Sequence, residues 1–164
     1  MAEIKFRGNP IHTVGQLPEV GTKAPDFHLV DTKLNTISLR DFQGRKKILN
    51  IFPSVDTGVC ATSVRTFHER VHGRGDTVLI NVSADLPFAH SRFCGSEGIE
   101  SAVGASTFRD AFGETWGVQM VDGPLAGLMS RAVVVLDEDD RVVYTEQVPE
   151  IGQEPDYDAA LAAL

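Results

Sequence analysis

Ile48-Leu49-Asn50-Ile51-Phe52-Pro53-Ser54-Val55-Asp56-Thr57-Gly58-Val59-Cys60 carries, in succession, an apolar strand, a stop and the start of a helix. Ile48 to Phe52 is almost continuously apolar, as a strand covered on both faces requires. Pro53 has no N–H to donate to a ladder and ends that strand. From about Thr57 onward, Cys60, Val64, Phe67 and Val71 recur at spacings of four, three and four residues, which predicts one buried helix face. Gly73 and Gly75 close the helix.

The same alternation continues on either side. Phe27 to Val30 and Thr77 to Val82 predict strands, and Pro87 onward opens a short helix. Phe108 to Trp116 has helical character, and Arg131 leads into the strand Ala132 to Leu136. Asp137 to Asp140 is a polar turn into Arg141-Val142-Val143-Tyr144, a hairpin pattern, and Pro155-Asp156 opens an alanine-rich terminal helix. The order predicts one α/β domain over residues 1–164 with a central sheet.

Composition narrows the function. A chain of 164 residues buries roughly 70% of its unfolded surface and holds a core without staples. The formal net charge of -8 repels phosphate backbones and anionic lipid, so nucleic acid is not an expected partner. The densest apolar run, Ala132 to Leu136, is far short of the ~20 residues of a membrane span. Charge begins at the third residue, where a secretory leader would be apolar, so the expected location is the cytoplasm. Two cysteines are too few for a disulfide scaffold or a four-thiolate zinc site. Two suffice for a redox pair, and in a reducing compartment such pairs are catalytic or redox-sensing rather than structural.

Position alone leaves each cysteine open to two readings. If Asp56 or Thr57 caps the helix, Cys60 lies in its first turn, where unpaired N–H groups and the positive dipole end favour a reactive thiolate. It also shares a face with Val64, Phe67 and Val71, as an inert core thiol would. Cys94, between Phe93 and Gly95 in Ser83-Ala84-Asp85-Leu86-Pro87-Phe88-Ala89-His90-Ser91-Arg92-Phe93-Cys94, forms no C-x-x-C and reads alone as structural.

Taken together, these motifs resemble those of the thiol peroxidases, the bacterial subfamily of peroxiredoxins often called atypical two-cysteine. Pro53-x-x-x-Thr57-x-x-Cys60 is similar to the peroxiredoxin active-site pattern, Ser83 to Cys94 to the subfamily's second-cysteine signature, and Arg131 to its active-site arginine. The likeness runs from Phe6-Arg7-Gly8-Asn9-Pro10 to Glu154-Pro155-Asp156-Tyr157. It implies a thioredoxin-like fold, a central mixed β-sheet flanked by helices, with an N-terminal β-hairpin made around Phe6 and His12. It also implies a homodimer, no cofactor and no bound metal.

The resemblance further implies a peroxidase that reduces hydrogen peroxide and organic hydroperoxides in antioxidant defence. Cys60 would be the peroxidatic cysteine, passing through a sulfenic acid. Cys94 would resolve it to an intrachain disulfide, which thioredoxin would reduce. Thr57 and Arg131 would bind and polarise the peroxide, and Pro53 would shield the sulfur. The first turn around Cys60 and the short helix carrying Cys94 would rearrange to join.

Two other functions have some claim on these residues. One is a non-enzymatic thiol redox sensor using the same cysteines. The other is a zinc hydrolase, because His68-Glu69-Arg70-Val71-His72 is a literal H-E-x-x-H. Against the second, Gly73 ends the helix at once, and a third ligand would have to come from an unmarked residue such as Asp85 or Glu97. No dinucleotide fingerprint, P-loop or nucleophile elbow occurs.

Overall fold

The computed structural model describes residues 1–99 and 102–164. An antiparallel hairpin comes first, pairing β1 (Glu3–Phe6) with β2 (Asn9–His12). Its turn, Arg7-Gly8, has positive φ at both residues (50° and 81°), the backbone that matches the twist of a two-residue hairpin. This is the N-terminal extension expected around Phe6 and His12.

The remaining strands form one seven-stranded sheet in the order β4-β3-β7-β6-β5-β8-β9. They are β3 (Leu29–Val30), β4 (Thr36–Ile37), β5 (Lys46–Ile51), β6 (Thr77–Ser83), β7 (Val103–Ser106), β8 (Ala132–Leu136) and β9 (Val142–Gln147). β5, β6 and β7 run parallel, and β8 lies antiparallel on β5, so the sheet is mixed. β5 sits inside the sheet with both faces covered, which explains its continuous apolar reading.

Side chains alternate between the two faces. Ile48, Leu79, Val133 and Val135 pack with Phe67 and Val71 of α1 (Gly58–Val71) and with Ala160 of α4 (Tyr157–Ala162). Leu49, Ile51, Ile80, Val82 and Val134 point the other way, to Phe27, Phe112 and Trp116. A third apolar cluster joins α1 to α2 (Pro87–Glu97): Cys60 and Val64 meet Phe52, Val55, Phe93 and Ile99. α2 starts with Pro87 in its first turn and ends on Gly98 at φ 66°, a left-handed cap that glycine adopts without strain.

The helical reading of Phe108 to Trp116 contracts to α3 (Phe112–Thr115), preceded by a turn at Thr107 to Asp110. The strand read at Phe27 to Val30 is only its last two residues, because Phe27 and Leu39 instead donate their amides to the Asp26 carboxylate. Asp137 to Asp140 is the expected polar turn of the β8–β9 hairpin. Asp137 accepts the amides of Asp139 and Arg141, and Asp140 pairs with the buried Lys47 ammonium.

Candidate active site

Cys60 lies in the first turn of α1, with Thr57 as the N-cap residue. The first intrahelical bond runs from the Ala61 amide to the Thr57 carbonyl at 3.0 Å. Helix geometry therefore leaves the amides of Gly58, Val59 and Cys60 without an i−4 carbonyl. Thr57 does not cap through its side chain; its hydroxyl donates to the Ser54 carbonyl at 3.1 Å. That contact tightens the turn after Pro53 and leaves the hydroxyl oxygen free to accept.

Arg131, just ahead of β8, is 1% exposed, as buried as the apolar core around it. Its Nη2 donates to Cys60 Sγ at 3.3 Å and its Nε to the Ile151 carbonyl at 2.8 Å. Nη1 has no hydrogen-bond partner among the described residues. A buried guanidinium N–H left unpaired is costly, so this atom calls for an acceptor.

A cavity of about 420 Å³ opens beside that guanidinium. Pro53, Thr57, Gly58 and Val59 form one wall, Leu125 and Leu128 another, and Phe6 with Arg7 from the N-terminal hairpin a third. The hairpin is fixed there by its backbone: Lys5 exchanges bonds with Pro149 and Ile151, and the Glu150 carboxylate accepts the amides of Arg7 and Gly8. Partial burial pushes the Glu150 carboxyl up, but the amides of Gly8, Arg7 and Gly152, with Lys5 nearby, outweigh it and hold the group below its ordinary range. The same 149–151 segment presents the carbonyl that orients Arg131.

Beneath the loop lies a polar network that periodicity gave no reason to single out. Asp85 accepts from Ser54 Oγ (2.8 Å), the Val55 amide (2.9 Å) and Ser83 Oγ (2.6 Å). Ser83 Oγ also meets Nε2 of His90 on α2 at 3.0 Å. Burial pushes His90 down to about 4, so its imidazole is neutral. Asn50 bonds Asn81 and Ser63, and Ser63 Oγ donates to the Cys60 carbonyl at 2.8 Å. The sequence signal was the polar residues inside otherwise apolar strands, Asn50, Asn81 and Ser83.

Cys94 is half-buried on α2, and burial raises its thiol above the ordinary value. It faces a separate cavity lined by Thr32, Ser91, Gly95, Ile99 and Ala102. Both cysteines are free thiols. Of the residues singled out in the sequence, Cys60, Thr57, Arg131 and Pro53 thus converge, while Cys94 stands apart.

The Redoxin family profile matches residues 19–161. A thiol peroxidase of Mycobacterium tuberculosis (strain ATCC 25618 / H37Rv) is 61% identical over 164 residues, covering 100% of this chain and 99% of that protein. The chain belongs to the thiol peroxidases. A thiol peroxidase of Corynebacterium glutamicum is 54% identical over the same 164 residues, with 100% and 99% covered. The crystal structure of a peroxiredoxin-like protein from Aquifex aeolicus superposes with a TM-score of 0.93 at 35% identity, covering 99% of this chain and 95% of that one. The protein is accordingly an enzyme, a thiol peroxidase with an antioxidant function, in a thioredoxin-like fold.

These relatives do not favour the sensor or the zinc hydrolase. The geometry is equally unhelpful to zinc. His68 and His72 do come together, with ring centroids 5.3 Å apart. The two carboxylates considered as a third ligand are committed elsewhere, Asp85 to Ser54, Val55 and Ser83, and Glu97 to Arg65 at 3.2 Å. Among the described residues no helix is long and apolar enough to cross a membrane.

Proposed function

We propose that this thiol peroxidase reduces hydrogen peroxide and organic hydroperoxides through Cys60, with Cys94 as the resolving thiol and thioredoxin as the reductant. The observation that carries the reading is the Arg131 guanidinium. One of its nitrogens bonds the Cys60 sulfur at 3.3 Å, and another is unpartnered at the cavity.

Peroxide reduction needs an anionic sulfur, because the thiolate is the nucleophile. A buried cation in hydrogen-bond contact, at a helix N-terminus, is the environment that stabilises one. The substrate enters the cavity with one oxygen in line with Sγ. The Thr57 hydroxyl oxygen accepts the proton of that near oxygen. Arg131 Nη1 and the amides of Val59 and Cys60 donate to the oxygens as charge grows on the leaving one. Sulfur bonds the near oxygen, the O–O bond breaks, and the departing alkoxide or hydroxide takes a proton. Cys60 is left as a sulfenic acid. Pro53, Phe6, Leu125 and Leu128 limit water in the cavity beside Arg131.

Cys94 then attacks that sulfenic sulfur, expelling water and forming an intrachain disulfide. Cys60 is fully buried between α1 and its apolar neighbours, while Cys94 faces a cavity on α2, so the Cys60 turn and α2 rearrange first. The family resemblance supports a homodimer, a cytoplasmic setting and a single domain over residues 1–164. The apolar walls of the cavity suit alkyl hydroperoxides as well as hydrogen peroxide. The test is a thioredoxin-coupled assay on wild type, Cys60→Ser and Cys94→Ser. Turnover should require both thiols, and a Cys94→Ser protein turning over at the wild-type rate refutes the resolving role.

A further inference from the structure

The peroxide chemistry makes no use of the chain Ser54–Asp85–Ser83–His90. Yet this chain is a buried polar link between the two segments that carry the thiols. Asp85 holds Ser54 Oγ and the Val55 amide, and Ser54 in turn receives the Thr57 hydroxyl, three residues before Cys60. At its other end Ser83 meets His90, one turn before Cys94 on α2. His90 is 1% exposed and Ser83 fully buried. A movement of α2 relative to the loop, as joining Cys60 to Cys94 would require, pulls on this chain at the Ser83–His90 contact.

We propose that Asp85–Ser83–His90 is a positioning latch that holds the Cys60 loop against α2 in the dithiol state. On disulfide formation it opens, and His90 takes up a proton from solvent. The inference rests on the assignment of Cys94 as the resolving thiol.

The surroundings of His90 support the proton uptake. Asp85, from the β6–α2 turn, is the charged group that faces it, and favours its protonation. β7 presents Gly104, against which His90 packs so closely that a Cβ there would lie 2.9 Å from the His90 Cβ. The segment after β5 presents Phe52, with ring centroids 6.5 Å apart. The nearby Arg92–Asp56 pair, also between α2 and the loop, is exposed. Burial is therefore what holds the imidazole neutral, at about 4, and freeing it restores an ordinary histidine near 6.5. Between those values the disulfide form carries one more proton at His90. Reduction by two electrons then takes up one proton fewer than it would without that histidine.

The test is a redox titration of the full-length protein against a dithiol/disulfide buffer, from pH 4.5 to 7.5. Wild type is compared with His90→Gln, whose amide can still bond Ser83. In the acid half of the range, each pH unit downward should raise the wild-type disulfide-to-dithiol ratio tenfold relative to the variant. This is a difference in slope of about 30 mV per unit. Near pH 7.5 the two should run parallel. Parallel slopes over the whole range overturn the latch. Asp85→Asn tests it from the other end: at fixed redox poise and pH 7.5 its disulfide fraction should rise several-fold, and an unchanged fraction contradicts the proposal. If peroxide yields no intrachain disulfide in wild type, the resolving assignment falls as well. If the disulfide forms and the slopes agree, only the latch falls.

Discussion

Cys60 and Cys94 sit at opposite ends of their helices. Cys60 occupies the first turn of α1, fully buried, with a guanidinium nitrogen 3.3 Å from its sulfur. Cys94 lies toward the C-terminus of α2, half-buried, with its thiol shifted upward by burial. The positive end of a helix dipole favours a thiolate and the negative end opposes one. The two thiols thus have different surroundings, a helix N-terminus with a buried cation at Cys60 and a half-buried site that raises the thiol at Cys94.

Cys60→Ser should have the largest effect, reducing peroxide consumption to background in a rapid-mixing assay. Cys94→Ser should leave a single oxidation intact and reduce thioredoxin-coupled consumption to about one equivalent per chain. Arg131→Ala should cost roughly 10²–10³ in kcat/KM, the typical loss of a charge-stabilising donor, measured by steady-state kinetics with one hydroperoxide. Thr57→Val keeps the shape but loses the acceptor, and should cost roughly 10²-fold in the same assay. A loss at Arg131 no larger than that of an exposed arginine such as Arg40 would mean that the cation contact is structural only.

The smallest effect concerns stability. His90 titrates at about 4 in the fold and near 6.5 unfolded. The unfolded chain binds more protons between those values, so stability rises with pH across that window. The contribution is fully present above about 6.5 and is lost as pH falls toward 4, on the order of 3 kcal/mol in all. Denaturant unfolding of wild type and His90→Gln at pH 5 and pH 7.5 measures it. The variant should show the weaker acid destabilisation.

The parts legible in the sequence are those whose signal is local. The continuous apolar run of β5 and the 3.6-period face of α1 reflect burial, which periodicity reports directly. β7 was illegible because Val103-Gly104-Ala105-Ser106 is built for close approach: Gly104 makes room for His90, and small residues carry no strand signature. Likewise Phe27 was drawn from its strand by the Asp26 carboxylate, a side-chain competition that no pattern encodes. At the site, Cys60, Thr57 and Pro53 lie in one short motif, and Arg131 was marked only by the family resemblance. The cavity draws Phe6, Leu125, Leu128 and Ile151 from distant segments. The link from Ser54 to Asp85 spans 31 residues and depends on β5 and β6 lying side by side.

The division of labour between the two cysteines is tested most directly by mapping the first oxidation. Each single-cysteine variant receives one equivalent of hydroperoxide in the presence of a sulfenic-acid trap, and the adducts are located by peptide mass. A stoichiometric adduct is expected on Cys60 in Cys94→Ser and none on Cys94 in Cys60→Ser. An adduct on Cys94, with Cys60 unmodified, would contradict it.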